Sequence, residues 1–378
     1  MPVSQIKLAR VPEQIDFSDL VEKERLIAKA EIPALRDALS RSKETPPTRY
    51  SKEEMGRLLG SDKPYKYGLF HDANGEMYAV YFGNQQSKAI GSGAFGTVKC
   101  AQNIETGQWM VLKTQLLENP ADQVNIREEK KQVDKAYATD KTESGIAYRQ
   151  SKKMKKYKKR DAQTANFIMP YVWGIDLNKL VNEKKDTLTP TRVLEIITQL
   201  AIHLQVVHQT KRLLHRDIKL ANAMYDFTSN TANYVDFGLS RAMLNTLSAY
   251  YSTKTAGSPG FMAPEITPSL LREQPQYLFN LEEIKQKGVA RKTMAELSQD
   301  PTFSREQLLE IQETLLSCAP DSPIYQYTAA SDIYAFGKLC QVLLKRAPQH
   351  DYLVEDGALH DMVQHMLSID PKARPTLL

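Results

Sequence analysis

The apolar pattern of this chain changes period part-way along its length. Before about residue 172 the apolar runs are short, β-rich and bounded by turn residues. From residue 191 they recur at helical spacing, with Val193, Leu194, Ile197, Leu200, Leu204 and Val207 forming a broad apolar face. The clearest early signal is the stretch from Tyr67 to Phe82, where two β-rich runs flank Asn74-Gly75, a hairpin signature. Further strands are predicted near Lys88–Ile90, Thr97–Ala101 and Trp109–Lys113. A polar helix from about Asp122 to Tyr137 and two strands within 146–172 follow. A β-rich first half and a helical second half make an α+β plan, with no repeat of solenoid period. Residues 1 to about 60 read as a helical, mostly solvated extension in which Leu20, Ile27, Leu35 and Leu39 recur among charges, and Ser51 with Glu54 forms a capping box.

At 378 residues and 42% hydrophobic, the chain can bury a sizeable core, as one two-lobed domain with extensions or as two domains. Its net charge of +5 is too mild to diagnose a polyanion partner. Cys100, Cys318 and Cys340 are odd in number and far apart, which suits reduced thiols and a cytoplasmic setting rather than a disulfide framework. No apolar run reaches the length of a membrane span, and residues 1–19 lack the apolar core of a secretory signal.

Four short patterns carry chemistry. Gly91-Ser92-Gly93-Ala94-Phe95-Gly96-Thr97-Val98 is a glycine-rich turn between two predicted strands, where backbone N–H groups can close over phosphates with no Cβ in the way. A dinucleotide-binding turn would lead into a helix, and here a second strand follows. Lys113 lies on the next strand, and Glu129 comes 16 residues later on the polar helix. Ile126, Val133 and Ala136 turn Glu129 inward with them, and an inward carboxylate needs a partner such as Lys113. Glu128 is the alternative, but it places Gln132 rather than Val133 one turn on. In His215-Arg216-Asp217-Ile218-Lys219-Leu220-Ala221-Asn222, an Asp and an Asn five apart can present a carboxylate to a hydroxyl and an amide carbonyl to a metal. Asp236-Phe237-Gly238 places a further carboxylate at a strand end, a ligand type suited to Mg2+.

In this set and order the segments resemble the protein kinase family over roughly residues 88 to 378. The likeness continues through Gly257-Ser-Pro-Gly-Phe-Met-Ala263-Pro264-Glu265, through Ser331-Asp332-Ile-Tyr-Ala-Phe-Gly337, and to Arg374, the expected partner of Glu265. It implies a bilobal α+β kinase fold: a β-rich N-lobe with one key helix (61–170) and a helical C-lobe (171–378). It also implies a Ser/Thr protein kinase using ATP and Mg2+ on a protein substrate. By this resemblance Lys113, braced by Glu129, holds the α- and β-phosphates. Asn222 and Asp236 hold Mg2+, Asp217 takes or orients the hydroxyl proton, and Lys219 steadies the γ-phosphate. Met169 is the gatekeeper, the Pro170 carbonyl and Val172 amide meet the adenine edge, Asp176 meets the ribose, and Val98, Val111 and Met224 sandwich the base. Arg216 beside Asp217 implies a phosphate partner on the activation segment, with Ser252, Thr253 and Thr255 as the candidates. A partner-binding scaffold without turnover and a small-molecule or lipid kinase are the competing readings. The intact Lys113, Asp217 and Asp236 argue against the first, and Ala263-Pro264-Glu265 against the second.

Three features depart from the family pattern. Glu265 and Asp332 stand 67 positions apart, so residues 267–327 are an insertion, read as helical and as a decorative excursion or a platform for substrate or partner. Lys152–Arg160 holds seven basic residues in nine, a solvated loop or a seat for an anionic lipid, inositol phosphate, nucleic acid or acidic protein. Only Tyr157 interrupts the run with an aromatic ring, which disfavours nucleic acid. The chain stops soon after Arg374, where the family continues with a final helix, which reads as a trimmed chain or a missing helix. With the N-terminal extension, these features resemble divergent kinases that some bacteria deliver into host cells.

Overall fold

The computed structural model describes residues 27, 29–44, 48–72, 74–80, 91–93, 96–117, 130–137, 146–149, 163–266, 293–315, 322–346 and 357–377. The chain divides into two units, residues 1–174 and 175–378, four residues beyond the boundary read from the sequence.

The first unit holds β1 (Thr48–Tyr50), β2 (Gly68–His71), β3 (Met77–Val80), β4 (Gly91–Gly93), β5 (Gly96–Asn103), β6 (Trp109–Leu117), β7 (Ile146–Arg149) and β8 (Gln163–Pro170). They form an antiparallel sheet in the order β1-β2-β3-β5-β6-β8-β7, with β4 also on β5. Alternation along the strands gives the sheet two apolar faces. One buries Phe70, Tyr78, Val80, Ala101, Leu112 and Ile168. The other buries Ala165, Phe167 and Met169 against Val133 of α3, a helix described over residues 130–137.

The described part of the N-terminal segment packs on the sheet rather than lying solvated. Helices α1 (Ile32–Ser40) and α2 (Lys52–Leu58) flank β1, and Ile27, Ile32, Leu35, Tyr50 and Met55 form one core cluster with Leu69, Met77 and Ala79 of the hairpin. The Ser51–Glu54 capping box is present in both directions, at 3.1 and 2.8 Å. The β2–β3 hairpin also forms, with a wider tip than a two-residue Asn-Gly turn. His71 pairs with Met77, the Asp72 N–H donates to the Glu76 carbonyl, and Asp72 Oδ1 accepts the Asn74 and Glu76 amides, with Gly75 at φ 86°. The predicted strand at Lys88–Ile90 and the basic run Lys152–Arg160 lie outside the described residues.

The second unit begins with β9 (Ile175–Asp176), α4 (Leu177–Glu183) and α5 (Pro190–Gln205). The N-cap Thr189 hydroxyl accepts the Arg192 amide, and Pro190 fills the first turn. Val193, Ile197, Leu200 and Leu204 are buried as their spacing predicts, but Leu194 is 43% exposed and Ile196 takes its place in the core. Six apolar positions span more of the helix than one buried stripe can cover. Short strands follow: β10 (Leu213–Leu214), β11 (Ala223–Asp226), β12 (Thr231–Tyr234), β13 (Arg241–Ala242) and β14 (Ala249–Ser252). The described part of the insertion supplies α6 (Met294–Gln299), α7 (Arg305–Leu315) and most of β15 (Tyr325–Thr328). The central helix α8 (Ala329–Arg346) and then α9 (Gly357–Met366) complete the unit.

Gly337 allows a close approach of α8 to the end of α9. A Cβ there would lie 2.7 Å from Met366 Cβ and 3.2 Å from Leu367 Cδ2. Alanine inside a helix ordinarily gains up to about 1 kcal/mol over glycine. At this position overpacking wins, and Gly337→Ala is expected to destabilise by about 1–3 kcal/mol. A urea midpoint at or above that of the wild type would refute this.

Candidate functional site

Strand register puts the phosphate-binding candidates of the first unit on one sheet face. Gly91 pairs with Val98, Ser92 with Thr97 and Gly93 with Gly96, so the glycine-rich segment is a strand–turn–strand as predicted. Ala94 and Phe95 at its tip lie outside the described residues. Val98 is directly opposite Lys113, which is opposite Phe167, and Val111 is opposite Met169. Side chains directly opposite, or two apart along a strand, share a face. Lys113 therefore lies on the same face as the apolar Val98, Val111, Phe167 and Met169, and it is only 5% exposed. Lys113 is thus not a solvated strand lysine. Pro170 ends β8, and Val172 lies in the segment after it. Glu129 lies outside the described residues. Val133 and Gln132 on the adjoining helix are both buried, so burial there favours Glu129 and Glu128 equally.

In the second unit the loop after β10 is fixed from below by α8. Asp332 accepts the His215 and Arg216 amides at 2.7 and 2.9 Å and the His208 ring Nε2 at 2.9 Å. Arg216 sits at φ 66° and Asp236 at φ 62°, left-handed conformations that a non-glycine residue keeps only when its surroundings dictate it. The kinks fall at Asp236 and just before Asp217, beside the buried rings of Phe237 and His215, whose centroids stand 4.8 Å apart.

Asp217 is the best-connected carboxylate of the loop. Its Oδ2 accepts Lys219 Nζ and Asn222 Nδ2, each at 2.9 Å, and its Oδ1 accepts the Ser258 hydroxyl at 2.7 Å. Lys219 Nζ also donates to Ser258 Oγ at 2.8 Å. Ser258 lies inside the Gly257–Glu265 motif, whose residue types alone assign it no role. Its place beside Asp217 arises from the approach of a segment 41 residues away, for which local spacing carries no signal. Gly257 before it stands at φ 132°, where a Cβ would meet the Arg216 carbonyl at 3.0 Å. Asn222 commits Nδ2 to the carbonyl and carboxylate of Asp217, which turns its amide oxygen elsewhere. That oxygen and the Asp236 carboxylate are hard donors suited to Mg2+. Among the described residues no group of three or more His, Cys, Asp and Glu could hold a metal ion. A Mg2+ on Asn222 and Asp236 would thus complete its shell with phosphate and water, as this ion commonly does.

Met224 pairs directly with Asp176 across β9–β11. Asp176 also caps α4, its Oδ1 accepting the Lys179 amide at 2.9 Å, so one carboxylate serves the fold as well as any ligand. Ser252 ends β14 and donates to the Lys254 carbonyl at 2.9 Å, and Thr253 and Thr255 lie in the turn that follows.

His203 and His215 each accept a backbone N–H at Nδ1, from Tyr234 at 2.9 Å and from Asp217 at 3.3 Å. Both are therefore neutral. Burial lowers the His203 pKa to about 4, and burial likewise lowers that of His215 against the pull of Asp332, Asp217 and Asp236. Between about pH 6.5 and 4 the unfolded chain binds protons that the folded one refuses, so stability is expected to fall with acidification over that window. His203 contributes at most about 1.4 kcal/mol per pH unit there. In urea unfolding at pH 7 and pH 5, His203→Gln should lose less stability than the wild type, and equal losses would refute the assignment.

Residues 84–378 match the protein kinase domain family. The chain belongs to the protein kinase family. Similar proteins include mitogen-activated protein kinase kinase kinase 2 of Arabidopsis thaliana, 29% identical over 189 residues (48% of this chain, 27% of the relative). Serine/threonine-protein kinase MRCK gamma of Homo sapiens is 27% identical over 194 residues (50% and 12%). Serine/threonine-protein kinase nekl-2 of Caenorhabditis elegans is 30% identical over 122 residues (30% and 33%). This kinase chain thus aligns with a third or less of each relative's length. All three are eukaryotic, and the likeness to kinases delivered by bacteria gains no support from them. No helix among the described residues is long and apolar enough to cross a membrane.

Proposed function

We propose that this kinase domain is an active Ser/Thr protein kinase that moves the γ-phosphoryl of Mg·ATP to a protein hydroxyl. The observation that carries the proposal is the Asp217 carboxylate, held at both oxygens by Lys219, Asn222 and Ser258. Phosphoryl transfer asks little covalent chemistry of a protein, so positioning and charge dominate. Asp217 would orient a substrate hydroxyl and take its proton. Lys219, which already reaches both Asp217 and Ser258, can turn one N–H toward the γ-phosphate. Backbone amides of Gly91, Ser92, Gly93 and Gly96 would cradle phosphates, and Lys113 would hold the α- and β-oxygens. Met169, Pro170, Val172, Val98, Val111 and Met224 would receive the adenine, and Asp176 the ribose. Bound to Asn222 and Asp236, Mg2+ would neutralise charge on the phosphate oxygens.

The names of the relatives and the lysine two places after Asp217 favour Ser/Thr over Tyr as acceptor. The test is transfer of labelled γ-phosphate from Mg·ATP to the chain itself and to a generic protein substrate, followed by phosphoamino-acid analysis. Label confined to phosphoserine and phosphothreonine is expected. Label on tyrosine, or none despite ATP binding, would overturn the reading.

A further inference from the structure

The insertion after Glu265, rather than standing away from the domain, closes on the segment between Gly238 and Gly257. β15, at its end, pairs antiparallel with β14, with Ala249 opposite Thr328, Tyr250 opposite Tyr327 and Ser252 opposite Tyr325. Ala249 and Tyr251 share a core cluster with Leu297, Ile311 and Ile324, onto which Leu244 and Leu247 also pack. On α7 the Glu310 carboxylate accepts the Asn245 and Thr246 amides and the Thr246 hydroxyl, while Gln307 Nε2 donates to the Thr246 carbonyl at 3.3 Å. The directly opposed rings of Tyr250 and Tyr327 flank Arg216, whose guanidinium carbon lies 4.9 Å from the first ring centroid and 4.1 Å from the second. The Tyr327 hydroxyl accepts the Ala256 amide at 2.7 Å, two residues before the serine that holds Asp217.

Resting on the kinase reading above, we propose that the insertion orders the activation segment in cis. Tyr250 and Tyr327 give Arg216 an aromatic partner where the sequence suggested a phosphate, and Glu310 and Tyr327 are positioning residues for Asp217. Stacking on two ring faces stabilises a guanidinium without an anion, and Arg216 Nη1 also donates to the Leu239 carbonyl at 3.3 Å. A strand pairing, an apolar cluster and a capping carboxylate supply the ordering that a phosphate on Ser252, Thr253 or Thr255 would otherwise supply.

Two measurements on the full chain test this. The first is hydrogen exchange over residues 244–256 of protein freed of phosphate, its state checked by intact mass. Slow exchange is expected in the wild type and faster exchange over 244–252 in Glu310→Ala, a half-buried surface site whose loss leaves the core intact. Fast exchange in the wild type, or no change in Glu310→Ala, overturns the proposal. The second is steady-state kinetics. Phosphate-free wild type is expected to keep kcat within about twofold of the untreated protein. Glu310→Ala and Tyr327→Leu should lower kcat about tenfold with KM for ATP unchanged, and Tyr327→Phe, which keeps the ring, should lower it less. A phosphate-free wild type that loses about tenfold and regains it on rephosphorylation overturns the proposal. Exchange needs no turnover, so the clamp is decided even if transfer fails, and failure of transfer counts against the kinase reading alone.

Discussion

Replacing Asp217 with asparagine is expected to lower kcat for phosphoryl transfer by about 10²- to 10⁴-fold, the range a positioned general base supplies. Asparagine keeps the shape of the carboxylate: its amide oxygen at the Oδ2 position still accepts Lys219 and Asn222, and its NH2 at the other position can donate to Ser258 Oγ, so the loop should hold its form while losing the proton acceptor. Alanine removes the same acceptor and also strips partners from three donors: the Ser258 hydroxyl, Lys219 Nζ and Asn222 Nδ2. Lys219 is a quarter exposed and can turn to water. Asn222 is buried and retains the Asp217 carbonyl at 2.9 Å. Alanine should therefore cost about 1–3 kcal/mol of stability beyond the asparagine variant. Measuring kcat alongside urea unfolding separates the two effects. An asparagine variant turning over within about threefold of wild type would exclude Asp217 as the base.

The contrast between what the sequence displays and what it conceals follows from range. The glycine-rich turn, Lys113, Asp217, Asn222 and Asp236 are legible because each sits in a short pattern whose residue types are chemically odd for their place. The sharing of one sheet face by Val98, Lys113 and Phe167 follows from strand register, which no local window displays. The N-terminal segment misled for a related reason. β1 is three residues long, and Ile27, Leu35 and Met55 are spread among charges, so the apolar surface they join is visible only once the hairpin lies over them. In β15 the alternation was present all along, with Tyr325 and Tyr327 buried and Gln326 exposed. Inside an insertion whose apolar spacing predicts helices it carries little signal, because four residues of alternation identify a strand only when a partner such as β14 is known.

Arg374→Ala is expected to destabilise the second unit by about 3–5 kcal/mol, the cost of leaving one half of a buried ion pair. Arg374 spends all five of its donors. Nη1 and Nη2 reach the two Glu265 oxygens at 2.7 and 2.8 Å. Nε donates to the Ser368 carbonyl at 2.8 Å, and the remaining N–H groups go to the Ala330 and Ile369 carbonyls at 2.9 and 3.3 Å. The side chain is fully buried and that of Glu265 is 15% exposed, so water cannot readily replace the fork. Lysine restores the charge but presents no planar fork, so Arg374→Lys should recover only part of the loss. The double variant Glu265→Leu with Arg374→Met should be more stable than Arg374→Ala, because it removes the stranded charge together with its partner. The pair has a second consequence through Ser331, whose hydroxyl donates to Glu265 Oε1 at 3.0 Å from the first turn of α8, one residue before Asp332. Asp332 holds the amides of His215 and Arg216, so a loosened Glu265 reaches the Asp217 loop through the helix that anchors it. Activity in all three variants should therefore fall even at temperatures where each remains folded. Urea unfolding of the series decides the stability claim, and an Arg374→Ala midpoint equal to that of wild type would refute it.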